Sequence, residues 1–242
     1  MALTKSKIER NLRKVRQNIE AACAKAGRDA SEVTLVAVTK TVGIEPIYWL
    51  VSLGVSDLGE NRVQQLSPRI GELADYMRRR RPPCKRPVRW HMIGHLQRNK
   101  VKSVLDCTEM IHSVDSLRLA EEISDRAVKL DKAVRLLLQV NCSQEKQKSG
   151  VAVGAAMHMG LLVATMPNVQ LCGLMTMAQI SDDPEQARPT FVRLREVFDE
   201  MRKEKIGGEH FQHMSMGMSQ DYQVAIEEGA TMVRVGSALF VE

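Results

Sequence analysis

Apolar residues near the start of the chain recur at spacings of three and four between residues 4 and about 27. They are Ile8, Leu12, Val15, Ile19 and Cys23. This spacing predicts an amphipathic helix, because it places the apolar side chains on one helical face. The next run, VTLVAVT at 33–39, is β-branched and almost wholly apolar. It predicts a parallel strand that is covered on both faces and ends at Lys40.

Short apolar strands and longer helical patterns alternate along the rest of the chain. After the strand at 33–39, we predict strands near 56–59, 89–93, 109–113, 134–140, 170–175, 211–215 and 232–235. Helices are predicted between them at about 45–53, 61–78, 97–105, 116–130, 152–166, 184–203 and 219–229. Strands that alternate with helices require crossover connections, and therefore a parallel sheet.

Eight predicted strands in 242 residues favour an α/β fold of one domain, residues 1–242, built as a closed (β/α)8 TIM-type barrel. No helix is predicted after the last strand, because the chain stops at Glu242. The additional N-terminal helix is therefore expected to fill the gap in the outer layer. An open, doubly wound sheet is the alternative architecture.

The composition is that of a folded protein of the cell interior. Apolar residues make up 44% of the chain and charged residues 26%, which allows a sizeable core. No run reaches the roughly 18 apolar residues that cross a bilayer, and the N-terminus lacks the apolar segment of a signal peptide. We therefore expect a cytoplasmic protein without a membrane partner. The five cysteines are scattered and form no CxxC pair, as expected of reduced thiols.

Much of the net charge of +6 lies in one segment, residues 78–89. Its basic residues alternate with prolines that prevent a helix, so we predict a basic loop. Clustered arginines neutralise phosphates, which leaves nucleic-acid binding as a remote hypothesis. A solvated loop is the simpler interpretation, because Trp90 is the one aromatic residue beside it. We therefore expect no nucleic-acid partner.

Lys40 is the first candidate for chemistry, because the C-terminal ends of the strands form the active face of such a barrel. It follows an otherwise apolar strand, where burial would favour the neutral, nucleophilic amine over the ammonium ion. An amine of this kind forms Schiff bases. The simpler alternative is a lysine that reaches solvent from a strand end.

Two turns near the end of the chain have a composition suited to binding an anion. In SMGMS, Gly217 permits a tight approach and Ser215 and Ser219 supply hydroxyl groups, Ser219 being placed to cap the next helix. In VRVGS, Gly236 and Ser237 leave a strand and offer backbone amides to the same anion. Either turn alone is more often a simple turn or a helix cap.

These turns belong to a set of motifs that covers nearly the whole chain. The motifs are VAVTK at 36–40, GEN at 59–61, WHMIGHLQRNK at 90–100, HSVDS at 112–116, QVNCSQEKQKSGV at 139–151, GLMTM at 173–177 and SMGMSQDYQVAIEEGATMVRVGSALF at 215–240. In this order they resemble the YggS/PROSC family of pyridoxal 5′-phosphate (PLP) binding proteins, also called PLP homeostasis proteins. The resemblance implies a barrel like the N-terminal domain of alanine racemase.

The resemblance also implies how the cofactor is held. The aldehyde of PLP would be bound to Lys40 as an internal aldimine. The phosphate would be held by Ser215, Gly217, Ser219, Gly236 and Ser237. Arg234 would face the pyridine nitrogen, where a permanently charged guanidinium disfavours protonation of that nitrogen. An unprotonated ring is a poor electron sink, which argues against demanding carbanion chemistry without excluding racemisation. The simpler alternative for Arg234 is a salt bridge at a strand end.

Three further residues match family positions near the ring or the pocket wall. They are Asn61, His91 and Met175. Each has a structural alternative: a helix cap for the asparagine, a core position for the histidine and packing for the methionine. The chain departs from the family pattern at Arg62, where an aromatic residue is usual, and at 240–242, where FVE replaces a final FG. We therefore expect the outer pocket and the last turn to differ.

The leading hypothesis is a protein of PLP homeostasis that binds and buffers PLP and delivers it to PLP-dependent apoenzymes, without a defined reaction. The alternative is a fold-type III PLP enzyme with weak amino-acid racemase activity. Related racemases take a second acid or base from a tyrosine of a separate β domain, whereas Tyr48, Tyr76 and Tyr222 all fall in predicted helices. The resemblance implies a monomer.

Overall fold

The computed structural model describes residues 3–80, 87–143, 145 and 149–241. The α-helices in these residues are α1 (Lys5–Lys25), α2 (Ile44–Ser52), α3 (Val63–Arg79), α4 (Val101–Leu105), α5 (Leu117–Lys129), α6 (Ala156–Ala164), α7 (Arg188–Lys203), α8 (Tyr222–Glu227) and α9 (Ser237–Phe240). The strands are β1 (Thr34–Val38), β2 (Asp57–Glu60), β3 (Arg89–Met92), β4 (Met110–Val114), β5 (Val134–Asn141), β6 (Val151–Ala152), β7 (Val169–Met175), β8 (His213–Ser215) and β9 (Met232–Val235).

Eight of the strands in the described residues form a closed barrel. Their order is β4-β3-β2-β1-β9-β8-β7-β5, and the pairing of β4 with β5 closes the ring. Every pairing in the ring is parallel. The predicted TIM-type barrel is therefore confirmed, and the open sheet is excluded. The short strand β6 pairs with β5 and adds to the barrel at one point.

Helix α1 fills the gap in the outer layer of helices, as predicted. It packs against α2, α8 and α9. The Nδ2 group of Asn11 donates to the carbonyl oxygens of Leu239 (3.2 Å) and Val241 (3.1 Å), which ties α1 to the C-terminal segment. The prediction that no helix follows the last strand is wrong, because α9 comes directly after β9. This single turn buries Leu239 and Phe240 in the core.

The apolar core has two parts. The larger part lies between the barrel and the helices and includes residues of α1. The smaller part consists of Met110, Leu137, Cys172, Met175 and Met232. These residues belong to β4, β5, β7 and β9, and because β4 and β9 are not neighbours, their side chains meet across the barrel interior. The inside of the barrel is thus packed, as in other TIM barrels.

Four cysteines lie among the described residues and all are free thiols. They are Cys23, Cys107, Cys142 and Cys172. The prediction of reduced thiols is confirmed for these four, while Cys84 lies outside the described residues. Over the same residues, none of the helices is both long enough and apolar enough to cross a membrane.

Candidate functional site

A cavity of about 920 Å³ opens at the C-terminal mouth of the barrel. Its wall is built from residues near or just after the C-terminal ends of strands that are widely separated in sequence. They include Lys40, Asn61, Gly94, Gln139, Met177, Ser219, Arg234, Gly236 and Ser237. Polar groups that converge on one concavity at this end of a barrel are the usual form of a ligand site.

Lys40 lies just beyond the end of β1, with its side chain exposed at the cavity. The expectation that this lysine is buried is therefore wrong. The strand ends at Val38 and buried Thr39 follows, whose N–H donates to the carbonyl oxygen of Gly59 (3.0 Å). The chain then turns, since the N–H of Val42 donates to the carbonyl oxygen of Thr39 (3.2 Å). Because of this turn, the Lys40 amine lies outside the apolar layer and faces the cavity.

Arg69 of α3 holds this turn in place. Its Nη1 donates to the carbonyl oxygen of Thr39 and its Nη2 to that of Val42 (3.0 Å). Its Nη1 also lies 3.0 Å from Oε2 of Glu60, a carboxylate that is fully buried. The other oxygen of Glu60 accepts the N–H of Asn61 (2.8 Å). One ion pair thus positions both the lysine turn and the asparagine, and sequence reasoning missed it because several arginines of α3 look alike.

Asn61 places a buried acceptor at the cavity. Its Oδ1 is buried and has no hydrogen-bond partner within the described residues. It does not cap α3, whose N-cap is Arg62 without a side-chain cap. Gly94 makes the arrangement possible, because a Cβ there would lie 2.2 Å from the carbonyl oxygen of Asn61. A buried acceptor without a donor is unfavourable, so Asn61 is suited to receive a hydrogen bond from a ligand.

The two glycine-serine turns lie side by side on the neighbouring strands β8 and β9. The hydroxyl of Ser219 accepts the N–H groups of Gly236 (3.1 Å) and Ala238 (3.3 Å). It therefore binds these amides rather than capping α8. Gly217 has a φ of +91°, and a Cβ there would lie 2.6 Å from Cβ of Ala225. These amides form a cradle around the Ser219 oxygen, whose own proton is left for an acceptor such as a phosphate oxygen.

Arg234 is buried at the floor of the cavity. Its Nη1 donates to Oγ of Ser215 (2.7 Å) and its Nη2 to the carbonyl oxygen of Thr176 (2.9 Å). Burial lowers the pKa of Arg234 to about 10, so the guanidinium remains charged at neutral pH. It forms no salt bridge with a described carboxylate, which argues against the simpler alternative of a salt bridge at a strand end. A buried cation without a paired anion marks a position suited to an electron-rich ligand.

A line of polar side chains continues from Ser215 into the barrel. Nδ1 of His112 lies 2.9 Å from Oγ of Ser215, and its Nε2 lies 3.0 Å from Nδ1 of His91. Nε2 of His91 in turn lies 3.0 Å from Oδ1 of Asp57. The serine, both histidines and the aspartate are buried. Sequence reasoning did not single out His112 or Asp57, because the line forms only when strands of the barrel face one another.

The structure brings six of the ten predicted site residues to the cavity wall. They are Lys40, Asn61, Ser219, Arg234, Gly236 and Ser237. Ser215 and His91 lie in the polar line beneath the cavity, Gly217 lies in the turn under α8, and Met175 lies in the inner core. Met177, two residues after Met175, lines the cavity and was not predicted. No local signal distinguishes the two methionines.

Other predicted features lie away from the cavity. The three tyrosines are on helices, as predicted, and none of them lines the cavity in the described part of the chain. Residues 81–86 of the predicted basic loop, and Glu242, lie outside the described residues. At the two ends of that segment, residues 78–79 belong to α3, and Arg89 belongs to β3 and pairs with Asp57 (2.6 Å). The predicted loop is thus shorter than 78–89.

Comparison with known proteins assigns this barrel and its cavity to a defined family. Residues 10–242 match the family of the alanine racemase N-terminal domain. The chain is 39% identical to the pyridoxal phosphate homeostasis protein of Aquifex aeolicus over 96% of each chain. It therefore belongs to the family of pyridoxal phosphate homeostasis proteins.

Solved structures give the same result. A protein from Bifidobacterium adolescentis superimposes with a TM-score of 0.90 at 37% identity, over 98% of this chain and 95% of that one. PipY from Synechococcus elongatus, solved with PLP bound, gives a TM-score of 0.80 at 28% identity, over 96% of this chain and 99% of that one. The whole barrel, including α1, is thus shared with these structures.

Proposed function

We propose that this chain binds PLP through Lys40 and acts as a monomeric cytoplasmic carrier that buffers the cofactor and delivers it to PLP-dependent apoenzymes. One observation carries the proposal: an exposed lysine amine, a buried arginine and a cradle of backbone amides line the same cavity. The relative named for PLP homeostasis and the PLP-bound structure of PipY support it. The carrier has no defined reaction of its own.

The residues of the cavity fit this cofactor. PLP, when bound, supplies an electrophilic aldehyde carbon for an amine to attack. Lys40 is the amine that reaches the cavity from a strand end, and Arg234 offers N–H donors to the ring nitrogen. Ser219, whose oxygen accepts the N–H of Gly236, would donate its hydroxyl proton to the phosphate, and Ser237 offers its hydroxyl and backbone N–H. The unpartnered Oδ1 of Asn61 accepts a hydrogen bond from the ligand side.

The predicted site residues outside the wall act through their neighbours in this proposal. Gly217 lets the SMGMS turn pack beneath α8, where a Cβ would collide with Ala225. Met175 fills the inner core below the cavity. Ser215 and His91 act through Arg234, which the line of polar side chains reaches from below.

The carrier function is favoured over a racemase by the groups that face the cavity. A racemase needs an acid or base on each face of the ring. No tyrosine lines the cavity within the described residues, so the second group would have to be a residue of another type. His95 lines the cavity at its exposed rim, where its Nδ1 lies 3.3 Å from Oδ2 of Asp115. Turnover assays test directly whether His95 acts as the second acid or base.

Covalent trapping tests the site. Protein incubated with PLP is reduced with borohydride and digested, and the modified peptide is located by mass spectrometry. We expect one adduct, on Lys40, that is absent from Lys40→Ala and retained in Lys132→Ala, whose lysine binds the carbonyl oxygen of Leu105 outside the cavity wall. A dominant adduct on any other lysine would contradict the proposed site.

Transfer and turnover distinguish the carrier from the enzyme. Loaded protein is mixed with a PLP-dependent apoenzyme, whose recovered activity reports delivery, and gel filtration reports the oligomeric state. We expect delivery by wild type and none by Lys40→Ala, and a monomer throughout. Sustained conversion of D- or L-amino acids above the Lys40→Ala background would favour the weak racemase instead.

A further inference from the structure

A series of hydrogen bonds runs from Arg234 through Ser215, His112 and His91 to Asp57. Asp57, at the far end of this line, acts only as an acceptor. Burial alone would raise the pKa of Asp57, but hydrogen bonds from His91, Arg89 and Ser56 hold that pKa well below its ordinary range. Asp57 is therefore a carboxylate, which only accepts hydrogen bonds. Nε2 of His91, 3.0 Å away, must carry a proton and donate it.

The direction of the next two hydrogen bonds follows from the chemistry of imidazole. Burial lowers the pKa of His112 well below its ordinary value, and the positive charge of Arg234 acts in the same direction, so His112 is neutral. A neutral imidazole has one N–H and one lone pair. With Nδ1 of His91 as acceptor, Nε2 of His112 donates to it and Nδ1 of His112 accepts the hydroxyl proton of Ser215.

The reverse direction is unfavourable. It would require a charged His91, with His112 donating to Ser215 through Nδ1. The hydroxyl oxygen of Ser215 would then lie between two donors, His112 and Arg234, and its own proton would have no described acceptor.

The direction of the line determines how Arg234 is held. Because the proton of Ser215 is committed to His112, a lone pair of its oxygen faces Nη1 of Arg234. The carbonyl oxygen of Thr176 holds Nη2. Two acceptors at fixed positions set the plane of the guanidinium, and its other N–H groups remain for the cavity that Arg234 lines.

We infer that Ser215, His112, His91 and Asp57 are positioning residues, which orient the guanidinium of Arg234 toward an acceptor atom of the ligand. The identity of that atom, the unprotonated ring nitrogen of PLP, rests on the proposed function, whereas the direction of the hydrogen bonds does not. Ser215 thereby serves Arg234, although the family resemblance assigned it to the phosphate.

The direction can be measured without cofactor. Long-range ¹H–¹⁵N correlation spectra of the wild-type protein report which imidazole nitrogen carries the proton, and His91→Gln and His112→Gln assign the signals. We expect both histidines to carry a proton on Nε2 and none on Nδ1. A proton on Nδ1 of either histidine would overturn the inference even if a variant failed to fold.

The role of the line is tested on PLP-loaded protein. Ser215→Ala and His112→Gln are compared with His213→Gln, a matched change outside the line at the start of β8. We expect the first two variants to shift the visible absorption band of the bound cofactor and to weaken its binding roughly tenfold or more, the loss of about one hydrogen bond to a charged group. His213→Gln should match wild type in both readouts.

The outcomes separate this inference from the proposed function. If wild type itself takes up no PLP, the proposed function fails, and the spectra of the histidines still decide the direction of the line. If wild type binds PLP and Ser215→Ala and His112→Gln have its absorption band and affinity, the positioning role is wrong while the carrier stands.

Discussion

Arg69 Nη1 lies 3.0 Å from Oε2 of the fully buried Glu60, and this ion pair connects helix α3 to the ends of β1 and β2. The arginine also donates hydrogen bonds to the turn that contains Lys40, and the glutamate accepts a hydrogen bond from the N–H of Asn61. Lys40 and Asn61, which line the cavity, are therefore both positioned by the Arg69–Glu60 pair, which does not line it. Removing the arginine leaves the fully buried carboxylate of Glu60 without its counter-charge.

Arg69→Leu should destabilise the protein and loosen the lysine turn. We expect the free energy of unfolding in urea to fall by about 3–5 kcal/mol, as for other buried pairs broken on one side. The matched control is Arg78→Leu on the same helix, whose pair with Asp75 is exposed and should contribute less than about 1 kcal/mol. Equal losses in the two variants would show that the Glu60 pair has no special role.

Ser219→Ala should weaken PLP binding. The substitution removes the hydroxyl that now joins the amides of Gly236 and Ala238 and would contact the phosphate. A hydrogen bond to a charged group stabilises by about 1.5–3 kcal/mol, which corresponds to roughly a 10- to 100-fold higher Kd in equilibrium dialysis. Ser103→Ala, at an exposed serine of α4, is the control. An unchanged Kd for Ser219→Ala would remove this serine from the phosphate site.

Gly94→Ala should displace Asn61. The added Cβ would meet the backbone of Asn61 at 2.2 Å, and backbone cannot move aside as a flexible side chain can. We expect a loss of about 1–3 kcal/mol in unfolding experiments, together with weaker PLP binding. Gly71→Ala is the control, because nothing lies within 4 Å of a Cβ there. As an alanine in helix α3 it should instead stabilise by about 0.5–1 kcal/mol.

Stability should fall as the pH falls below neutrality. Burial, followed by the charge of Arg135, lowers the pKa of His213 to about 4 from its ordinary 6.5, and that of His112 is also lowered. The unfolded chain therefore binds protons first, so the contribution of neutral His213 is complete above about pH 6.5 and is lost toward pH 4, and that of His112 is lost in the same direction as the pH falls. Urea unfolding across this window should show a loss of about a few kcal/mol.

His213→Gln provides the check on this pH dependence. Because this variant cannot titrate at position 213, its loss of stability between pH 6.5 and pH 4 should be smaller than that of wild type. A further loss below about pH 4 should remain in both proteins, because the lowered pKa of Asp57 gives a contribution that is present above its ordinary pKa and lost below it. Identical pH profiles above pH 4 would contradict the assignment to His213.

The fold was predictable because its signals are local. The spacing of Ile8, Leu12 and Val15 and the β-branched run of β1 each specify an element within one segment. Helix α9 was missed because four residues carry no periodicity, and its turn is stabilised by burial of Leu239 and Phe240. The helix predicted at 152–166 starts later, at Ala156, because Ala152 pairs with β5 and residues Val153–Ala155 form a 3-10 turn.

The site was predictable where it consists of strand ends and not where it consists of long-range contacts. Lys40 and Gly236 follow apolar runs, so position in the chain was sufficient. The exposure of Lys40 was not foreseen, because it depends on where β1 ends and how the next residues turn. The pairing of Arg69 with the lysine turn and of His112 with Ser215 joins residues 30 and 103 positions apart, which no local pattern contains.

A crystal structure of the protein with PLP tests the central claim most directly. We predict continuous density between Nζ of Lys40 and the cofactor, the phosphate at the amides of Gly236 and Ser237, and the ring nitrogen within hydrogen-bond distance of Arg234. Density joined to another lysine, or PLP bound outside the cavity at the C-terminal mouth of the barrel, would contradict the account.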